Sequence, residues 1–202
     1  MAPLATDISI DSLDWSICKA PAASHGQIGN DSAFVTQPGG APIKIRLSQD
    51  GMRAPFGASS FQGEAGKPLN LDLSIEDNAL LEWARKLDEW FLAALGETYG
   101  MDRQQMLFAY KPIVKTRSGQ HPPLLKTKLS LQRVKCWGPP LLEDGVYRHP
   151  PVDTAEVDWT HSRLSPIVQV RRVWKINGMV GVSLDVSDVL VTPSSENTQC
   201  PF

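Results

Sequence analysis

Hydrophobic and polar residues alternate along several short stretches of the chain, and this period of two predicts β-strands. Residues 43–47, 69–75 and 179–191 show it most clearly. The dipeptide Asn177-Gly178 separates two such stretches and predicts a hairpin with a type I′ turn. The alternation places four residues on the inner face of this hairpin: Val180, Val182, Leu184 and Val186.

One segment changes to the spacing of a helix. Apolar residues recur there every three to four positions, which predicts an amphipathic helix with one buried stripe. The stripe consists of Leu80, Ala84, Leu87, Phe91, Ala94 and Leu95. Ser74, with Asp77 three residues later, predicts a capping box at the start of the helix. Gly96 or Gly100 is expected to end it.

Beyond Tyr110, the alternation separates cationic from apolar side chains. In residues 124–133, Lys126 and Lys128 fall on one side of the predicted strand. Three leucines fall on the other side: Leu125, Leu129 and Leu131. The preceding extended segment places three further cations on one side: Lys111, Lys115 and Arg117.

About six to eight strands and one long helix predict an α+β domain that is mainly β, with an OB-like curved antiparallel sheet or small barrel. This domain is expected to span residues 43–191. Residues 1–42 predict a loosely ordered arm with a short strand near residues 32–36, and residues 192–202 predict a flexible polar tail. Residues 137–159 are Pro-rich and show little periodicity.

The composition is that of a chain with one good core. It has 202 residues, of which 42% are hydrophobic and 21% charged. Its apolar runs are far shorter than the roughly 20 residues that span a bilayer, and its first residues lack a basic, apolar leader. Its three cysteines form no C-x-x-C pair, which argues against disulfides and a zinc site. We therefore predict an intracellular protein that does not enter a membrane.

The net charge of −2 hides a strong asymmetry along the chain. Residues 103–142 contain eight cations and no acid. The eight are Arg103, Lys111, Lys115, Arg117, Lys126, Lys128, Arg133 and Lys135. A solvated outer face is one interpretation, but surfaces built only for solubility usually mix both signs of charge. The gap in acids therefore favours a polyanionic partner.

Motifs for enzyme chemistry are missing from the sequence. The four histidines lack the spacing of metal ligands, and neither a P-loop, a Rossmann fingerprint nor a G-x-S-x-G motif occurs. We accordingly predict no catalytic residues, no cofactor and no bound metal. Acids that converge from distant loops would be invisible in the sequence, so a nuclease or other DNA-processing enzyme stays as a weaker alternative.

Aromatic residues are interleaved with the cations, and single-stranded nucleic acid is held by these two kinds of group. Burial in the core is the alternative role for each aromatic side chain. The predicted nucleic-acid-binding residues are Arg53, Phe56, Tyr110, Lys111, Lys115, Arg117, Lys126, Lys128, Lys135, Trp137, Arg171, Arg172, Trp174 and Lys175.

Four motifs in order carry a resemblance to a known family: MRAPFGASSF (52–61), LNLDLSI (69–75), YKPIVKTRSGQHPPLLKTKL (110–129) and VWKINGMVGVSLDVSDVLV (173–191). They resemble a family of inferred single-stranded DNA-binding proteins of large DNA viruses of algae and protists, which is similar to the OB-fold single-stranded DNA-binding proteins of phage replisomes. The resemblance implies an OB-like barrel that coats exposed DNA during replication, recombination or repair. By matching motif, it points to Arg53, Phe56, Tyr110, Lys111, Lys115, Lys126, Lys128 and Trp174.

The resemblance also bears on partners and location. Replication proteins of this kind usually end in an acidic tail with an aromatic tip, and this chain ends in Pro201-Phe202 without the acidic run. Phe202 is therefore a candidate for binding replication proteins, at sites of DNA replication. DNA and RNA both stay open as the nucleic acid. The alternative from another class is a protein-interaction or structural module whose basic strands meet an acidic partner.

Overall fold

The computed structural model of the protein describes residues 2–8, 10, 16–19, 31–36, 43–59, 68–116 and 121–193. They form an α+β structure with 42% strand and 23% helix, so the coarse prediction of an α+β, mainly β protein is confirmed. The sheet is open. The elements in chain order are a short 3-10 helix at Ala5–Asp7, β1 (Ser16–Lys19), β2 (Asp31–Thr36), β3 (Ile43–Arg46), β4 (Ala58–Ser59), β5 (Leu69–Ser74), α1 (Asn78–Tyr99), α2 (Arg103–Ala109), β6 (Tyr110–Lys111), β7 (Val114–Lys115), β8 (Leu124–Leu129), β9 (Lys135–Trp137), β10 (Leu141–Glu143), β11 (Val146–Arg148), β12 (Pro151–Val152), β13 (Arg163–Ile176) and β14 (Met179–Thr192).

A long hairpin of β13 and β14, each of 14 residues, forms the centre of the main sheet. Asn177 and Gly178 have φ angles of 50° and 77°, and the type I′ turn needs positive φ at both positions. The predicted hairpin is therefore confirmed. The four residues predicted to face inward, Val180, Val182, Leu184 and Val186, are all buried.

The two edges of this hairpin pair differently. β13 pairs in antiparallel fashion with β2 and β3, and β1 extends β2. β14 pairs in parallel with β6, β8 and β9, one after another along its length. Antiparallel β5 and β4 continue the sheet beyond β8. The sheet is therefore mixed, whereas an antiparallel sheet was predicted. The sequence could not indicate this, because alternation along a strand carries no information about the direction of its neighbours.

The long helix α1 lies over the core with the predicted stripe turned inward, Ala94 apart. Its buried side chains include Leu80, Ala84, Leu87, Phe91 and Leu95. Asp77 caps the helix by accepting the N–H of Ala79 at 2.8 Å, and Gly100 ends it at a φ of 63°. Ser74 is the buried last residue of β5, so the predicted capping box is wrong at that position.

The short helix α2 was not predicted. The Asp102 side chain accepts the N–H of Gln105 at 2.8 Å, and the Gln105 side chain accepts the N–H of Asp102 at 2.9 Å. This reciprocal capping box is a local signal that the sequence contains. Seven residues are too few to show a helical period, which is why the hydrophobic pattern misses α2. Within the described residues, neither helix combines the length and apolarity needed to cross a bilayer.

Parts of the predicted N-terminal arm belong to the sheet and the core. Strand β2 pairs with β13, and Leu4 forms a bridge with Arg46, the last residue of β3. Ala5 and Ile10 are buried in the main core cluster. These residues are therefore anchored more firmly than a loosely attached arm would be.

In strand β8, the apolar and the cationic side chains lie on opposite faces as predicted, up to Leu129. Leu125, Thr127 and Leu129 are buried, whereas Lys126 is half-buried and Lys128 exposed. Leu131, predicted to face inward, is exposed, because β8 ends at Leu129 and the chain then turns.

The Pro-rich segment 137–159 is more regular than expected. It contains β12 and a separate two-stranded sheet of β10 and β11. Asp144 and Gly145, at the turn between these strands, have φ angles of 50° and 76°. Asp-Gly is the same kind of local hairpin signal as Asn-Gly, although this second hairpin was not predicted.

Candidate nucleic-acid interface

Three cations lie in register along the parallel edge of β14. Lys111 of β6 is the partner of Gly181, Lys128 of β8 of Asp185, and Lys135 of β9 of Asp188. At the rise of a strand, these positions on β14 are about 13 Å and about 10 Å apart. We call Lys111, Lys128 and Lys135 the cation row. Residues far apart in the sequence thus form one line of positive charge.

Trp174 lies at one end of the cation row. It is the register partner of Gly181, which also pairs with Lys111. A Cβ atom at position 181 would collide with the Trp174 ring, so the indole lies directly over this glycine. Arg172, two positions before Trp174 in β13, lies on the same face and is exposed. The half-buried indole therefore adjoins cations on two sides.

Trp137 lies at the other end. It follows Lys135 in β9 and pairs with Leu190 of β14. Cys136 between them is buried, so Lys135 and Trp137 both project from the outer face of the sheet. Trp137 also lines a cavity of about 560 Å³ with His149, Ile167 and other residues. Leu190 lies nine positions after Gly181 in β14, which corresponds to about 30 Å.

A groove of about 300 Å³ lies beside Trp174 on this face. Four lysines and Asp72 are the charged residues that line it, so its net charge is +3 among the described residues. The lysines are Lys111, Lys115, Lys126 and Lys128, and we call this the lysine groove. Lys128 also lines a neighbouring hollow of about 280 Å³ together with Arg133.

Asp88 of α1 positions the segment that carries Lys111 and Lys115. Its carboxylate accepts the Tyr110 hydroxyl at 2.6 Å and the N–H groups of Ile113 and Val114 at 2.8 and 3.1 Å. Burial raises the pKa of Asp88 above its ordinary value, although these donors and Lys126 act in the opposite direction. The helix thereby fixes one wall of the lysine groove from beneath.

Lys126 and Lys128 differ in how they are held. The Lys126 ammonium donates to the carbonyl of Pro112 at 2.7 Å, and burial lowers the pKa of this side chain. The Lys128 ammonium donates to Asn70 Oδ1 at 2.6 Å at the exposed surface. Lys126 therefore ties β8 to the segment between β6 and β7, whereas Lys128 presents most of its charge to solvent.

Acidic residues from other elements reach the same face. Asp72 of β5 is the partner of Lys126, and Asp185 is the partner of Lys128. The spacing of Asp185 and Asp188 would put them on opposite faces of a regular strand, but a register shift near Ser187 keeps both off the buried face. Asp188 pairs with Lys44 at 3.5 Å. The surface is therefore less positive than the acid-free segment alone predicts.

Two of the predicted binding residues point elsewhere. Tyr110 is buried and its hydroxyl is held by Asp88, so its ring offers no stacking surface. Burial also raises the pKa of that hydroxyl. The Lys175 ammonium lies 5.2 Å from the centre of the Tyr99 ring of α1, on the opposite face from Trp174. The prediction placed interleaved aromatic and cationic residues on one surface, but neighbouring residues of a strand face opposite sides.

Arg53 and Phe56 form part of a different region. Arg53 and Arg163 both approach Glu76, at 3.9 and 3.1 Å, near the start of α1. Phe56 is exposed in a turn next to Gly57, which lies close to Thr160. The structure therefore does not bring these two residues to the lysine groove.

The remaining predictions can be placed only in part. Arg171 is a residue of β13, next to Arg172. Arg117 and Phe202 lie outside the described residues.

Sequence reasoning missed Arg133 as a site residue and the polar residues that β5 contributes. Asn70 and Asp72 are on the outer face of β5 and line the lysine groove. The strict alternation of residues 69–75 already placed them on one side of a strand. Only the pairing of β5 with β8 shows that this side is shared with Lys126 and Lys128.

Among the described residues, no group of three or more His, Cys, Asp or Glu side chains could hold a metal ion. Comparison of the sequence with protein-family models and with curated proteins finds no match.

Proposed function

We propose that the protein binds single-stranded DNA without catalysing a reaction, with the strand lying along the cation row. The observation that carries this proposal is the alignment of Lys111, Lys128 and Lys135 along β14, between Trp174 and Trp137. Cations that follow the phosphates and aromatic faces that stack on bases are the two elements of sequence-tolerant binding to single strands.

The lysine groove supports the same proposal. Its net charge of +3 favours a polyanion, and its lining includes Trp174. Lysines that follow the phosphates and an indole that can stack on any base hold a strand without reading its sequence. We therefore expect affinity to depend weakly on base composition and strongly on salt.

A salt titration tests the electrostatic part. Each phosphate contact to a single strand contributes about 0.7 to the slope of log affinity against log salt. Five contacts would give a slope of about −3.5. The five cations expected to engage are Lys111, Lys115, Lys128, Lys135 and Arg172. Fluorescence anisotropy with labelled oligonucleotides of mixed sequence measures the slope, and a slope near zero would contradict the proposal.

Matched double variants locate the site. Lys128→Ala with Lys135→Ala removes two charges from the cation row, whereas Arg85→Ala with Lys86→Ala removes two exposed charges from α1. We expect only the first pair to weaken binding and to flatten the slope, by about 1.4 for two lost contacts. Equal effects of the two pairs would mean that net charge, rather than this surface, determines binding.

The acids on this face favour one other function. Asp72, Asp185 and Asp188 interleave with the lysines, and a surface of mixed sign also suits a protein partner with a complementary charge pattern. In that case the protein would be an interaction or structural module. Binding to unstructured oligonucleotide that survives excess heparin and exceeds binding to duplex supports the nucleic-acid proposal. Loss of all binding under heparin supports the module.

The finer parts of the proposal rest on the family resemblance. These are an OB-like barrel, the coating of exposed DNA in replication, recombination or repair, and a location at replication sites. Closure of the sheet into a barrel would protect the outer edge of β4 from solvent. Fast hydrogen exchange at the β4 amide that points away from β5 would contradict closure. Comparison of DNA and RNA oligonucleotides of one sequence tests the choice of nucleic acid.

A further inference from the structure

The cavity of about 560 Å³ beside Trp137 lies on the outer face of the sheet, at the end of the cation row. Three register pairs connect this cavity to the cation row: Arg46 of β3 with Ile167, Ile167 with Asp188, and Asp188 with Lys135. Its volume is within the range of about 300–1,000 Å³ that is typical of small-ligand sites. The cavity is therefore large enough to hold one base of a strand that follows the cation row. We call it the Trp137 pocket.

Arg46 lines this pocket as a half-buried cation without a counter-ion. Its Nε atom is buried and has no hydrogen-bond partner. No ion pair joins Arg46 to another of the described residues. Taking a guanidinium out of water is unfavourable unless a partner compensates for it, and the group offers a planar fork of donors. Arg46 therefore has donors available for a ligand with acceptors.

Asp188 supplies the opposite kind of group to the Trp137 pocket. The Ser187 hydroxyl donates to Asp188 Oδ2 at 2.8 Å, and the Lys44 ammonium approaches the same oxygen at 3.5 Å. Oδ1 accepts no hydrogen bond from the described residues. A carboxylate has about four acceptor sites in all, so Asp188 has acceptors available for a ligand with donors. Asp188 and Arg46 lie two strands apart, which is about 10 Å across the sheet.

We propose that the Trp137 pocket takes a single guanine base of the bound strand. Guanine carries two adjacent acceptors, O6 and N7, and two adjacent donors, N1–H and the N2 amino group. The guanidinium fork of Arg46 matches the two acceptors, and the carboxylate of Asp188 matches the two donors. No other DNA base carries both pairs. The indole of Trp137 adds a face on which the base stacks.

This inference rests on the proposed function, because the cation row leads the strand to the pocket. Lys135, the last lysine of the row, is the register partner of Asp188 and lies two positions before Trp137 on the same face of β9. The guanine contact adds a preference at one position of the strand. The nucleotides along the rest of the row are still held through their phosphates, so the dependence of affinity on overall base composition stays weak.

Oligonucleotides with a single guanine test the inference. Strands of about ten thymidines carry one guanosine, which is moved along the strand one position at a time. At the best position, fluorescence anisotropy should show affinity at least about fivefold above that of the all-thymine strand, the lower end of what a bidentate base contact provides. Adenosine at this position should give no gain. 7-Deazaguanosine, which lacks the N7 acceptor, should lose most of it.

A matched pair of variants tests the arginine fork. Arg46→Lys keeps the positive charge and loses the fork, so the ratio of guanine to thymine affinity should fall close to one. Arg85→Lys makes the same change at an exposed arginine of α1 and should keep the ratio of the parent. Asp188→Asn should also lower the ratio, because an amide replaces one acceptor with a donor. Thermal melting checks that each variant is folded, and a ratio that survives Arg46→Lys would overturn the inference.

Failure of this inference and failure of the proposed function give different results. Equal affinities for strands with and without guanine would overturn the guanine pocket and leave the proposed function intact. Failure to bind any oligonucleotide would refute the proposed function, and deoxyguanosine monophosphate then tests the pocket by itself. It should shift the NMR signal of the Trp137 indole N–H, assigned with Trp137→Phe, more than an equal concentration of deoxyadenosine monophosphate does. Equal shifts would overturn the guanine pocket as well.

Discussion

The inner and outer sides of the sheet around β8 both carry polar groups, but they use them differently. On the inner side, the Asp88 carboxylate accepts three hydrogen bonds from its own chain, including the hydroxyl of buried Tyr110. On the outer side, Lys128 donates to Asn70 and exposes its ammonium, which has three donors. A polar group saturated within the fold stabilises the fold, whereas one with donors left over can hold a partner.

The largest effect is expected from an inner apolar side chain. Leu129 is fully buried, so Leu129→Ala should lower the free energy of unfolding by about 2–5 kcal/mol. The oligonucleotide affinity of the protein that stays folded should be unchanged. Urea denaturation and binding measured well below the melting temperature check both statements. A folded variant that no longer binds would mean that the two sides are not independent.

The opposite result is expected for Trp174 on the outer side. Trp174→Ala should weaken oligonucleotide binding by about 1–3 kcal/mol for a stacked base. Gly181→Ala should also weaken binding, because its Cβ displaces the indole without removing it. Anisotropy titrations measure both variants.

Tyr110→Phe is the matched aromatic control for Trp174. It keeps the buried ring and loses the hydrogen bond to Asp88, so it should cost about 1 kcal/mol of stability and leave affinity unchanged. A larger loss of affinity in Tyr110→Phe than in Trp174→Ala would reverse the assignment of the two aromatics.

The effect of Asp88→Asn on the free energy of unfolding should depend on pH. At neutral pH the new side-chain NH₂ group would lie opposite a backbone N–H that the carboxylate accepts. The substitution should therefore lower the free energy of unfolding by about 1–3 kcal/mol. Because burial raises the pKa of Asp88 in the folded state, folding favours the protonated acid. The stability that Asp88 contributes therefore increases as the pH falls toward 3.8, the ordinary pKa of this side chain. The difference in unfolding free energy between parent and variant should therefore widen on acidification, as measured by urea denaturation from neutral pH downward. A constant difference would contradict the raised pKa.

The smallest effect on stability is expected at Lys128, and Lys126 of the same strand is its control. Lys128→Ala should change stability by less than about 0.5 kcal/mol, since Lys128 is exposed. Lys126→Ala should cost about 1–2 kcal/mol, because it removes a hydrogen bond to the Pro112 carbonyl. Lys128→Ala should also flatten the salt slope by about 0.7. Urea denaturation measures the stabilities of both variants, and a salt titration measures the slope. Equal stabilities of the two variants would mean that the hydrogen bond to Pro112 is unimportant.

Local signals in the sequence determined several elements without help from the rest of the chain. The β13–β14 hairpin follows from Asn177-Gly178 between alternating segments, and the stripe from Leu80 to Leu95 specifies which face of α1 is buried. The same alternation separates Lys126 and Lys128 from Leu125 and Leu129. Turn geometry and side-chain periodicity act over a few residues, so a single sequence is sufficient to read them.

Tertiary structure alone decided which of these elements meet. Lys111, Lys128 and Lys135 come into line because three short strands pair in parallel with β14, and no local pattern encodes that register. It also placed Tyr110 in the core, Lys175 on the opposite face and Asp72 among the lysines. The physical reason is that strand pairing depends on the packing of whole faces against one core, whereas the period along a strand gives only two equivalent sides.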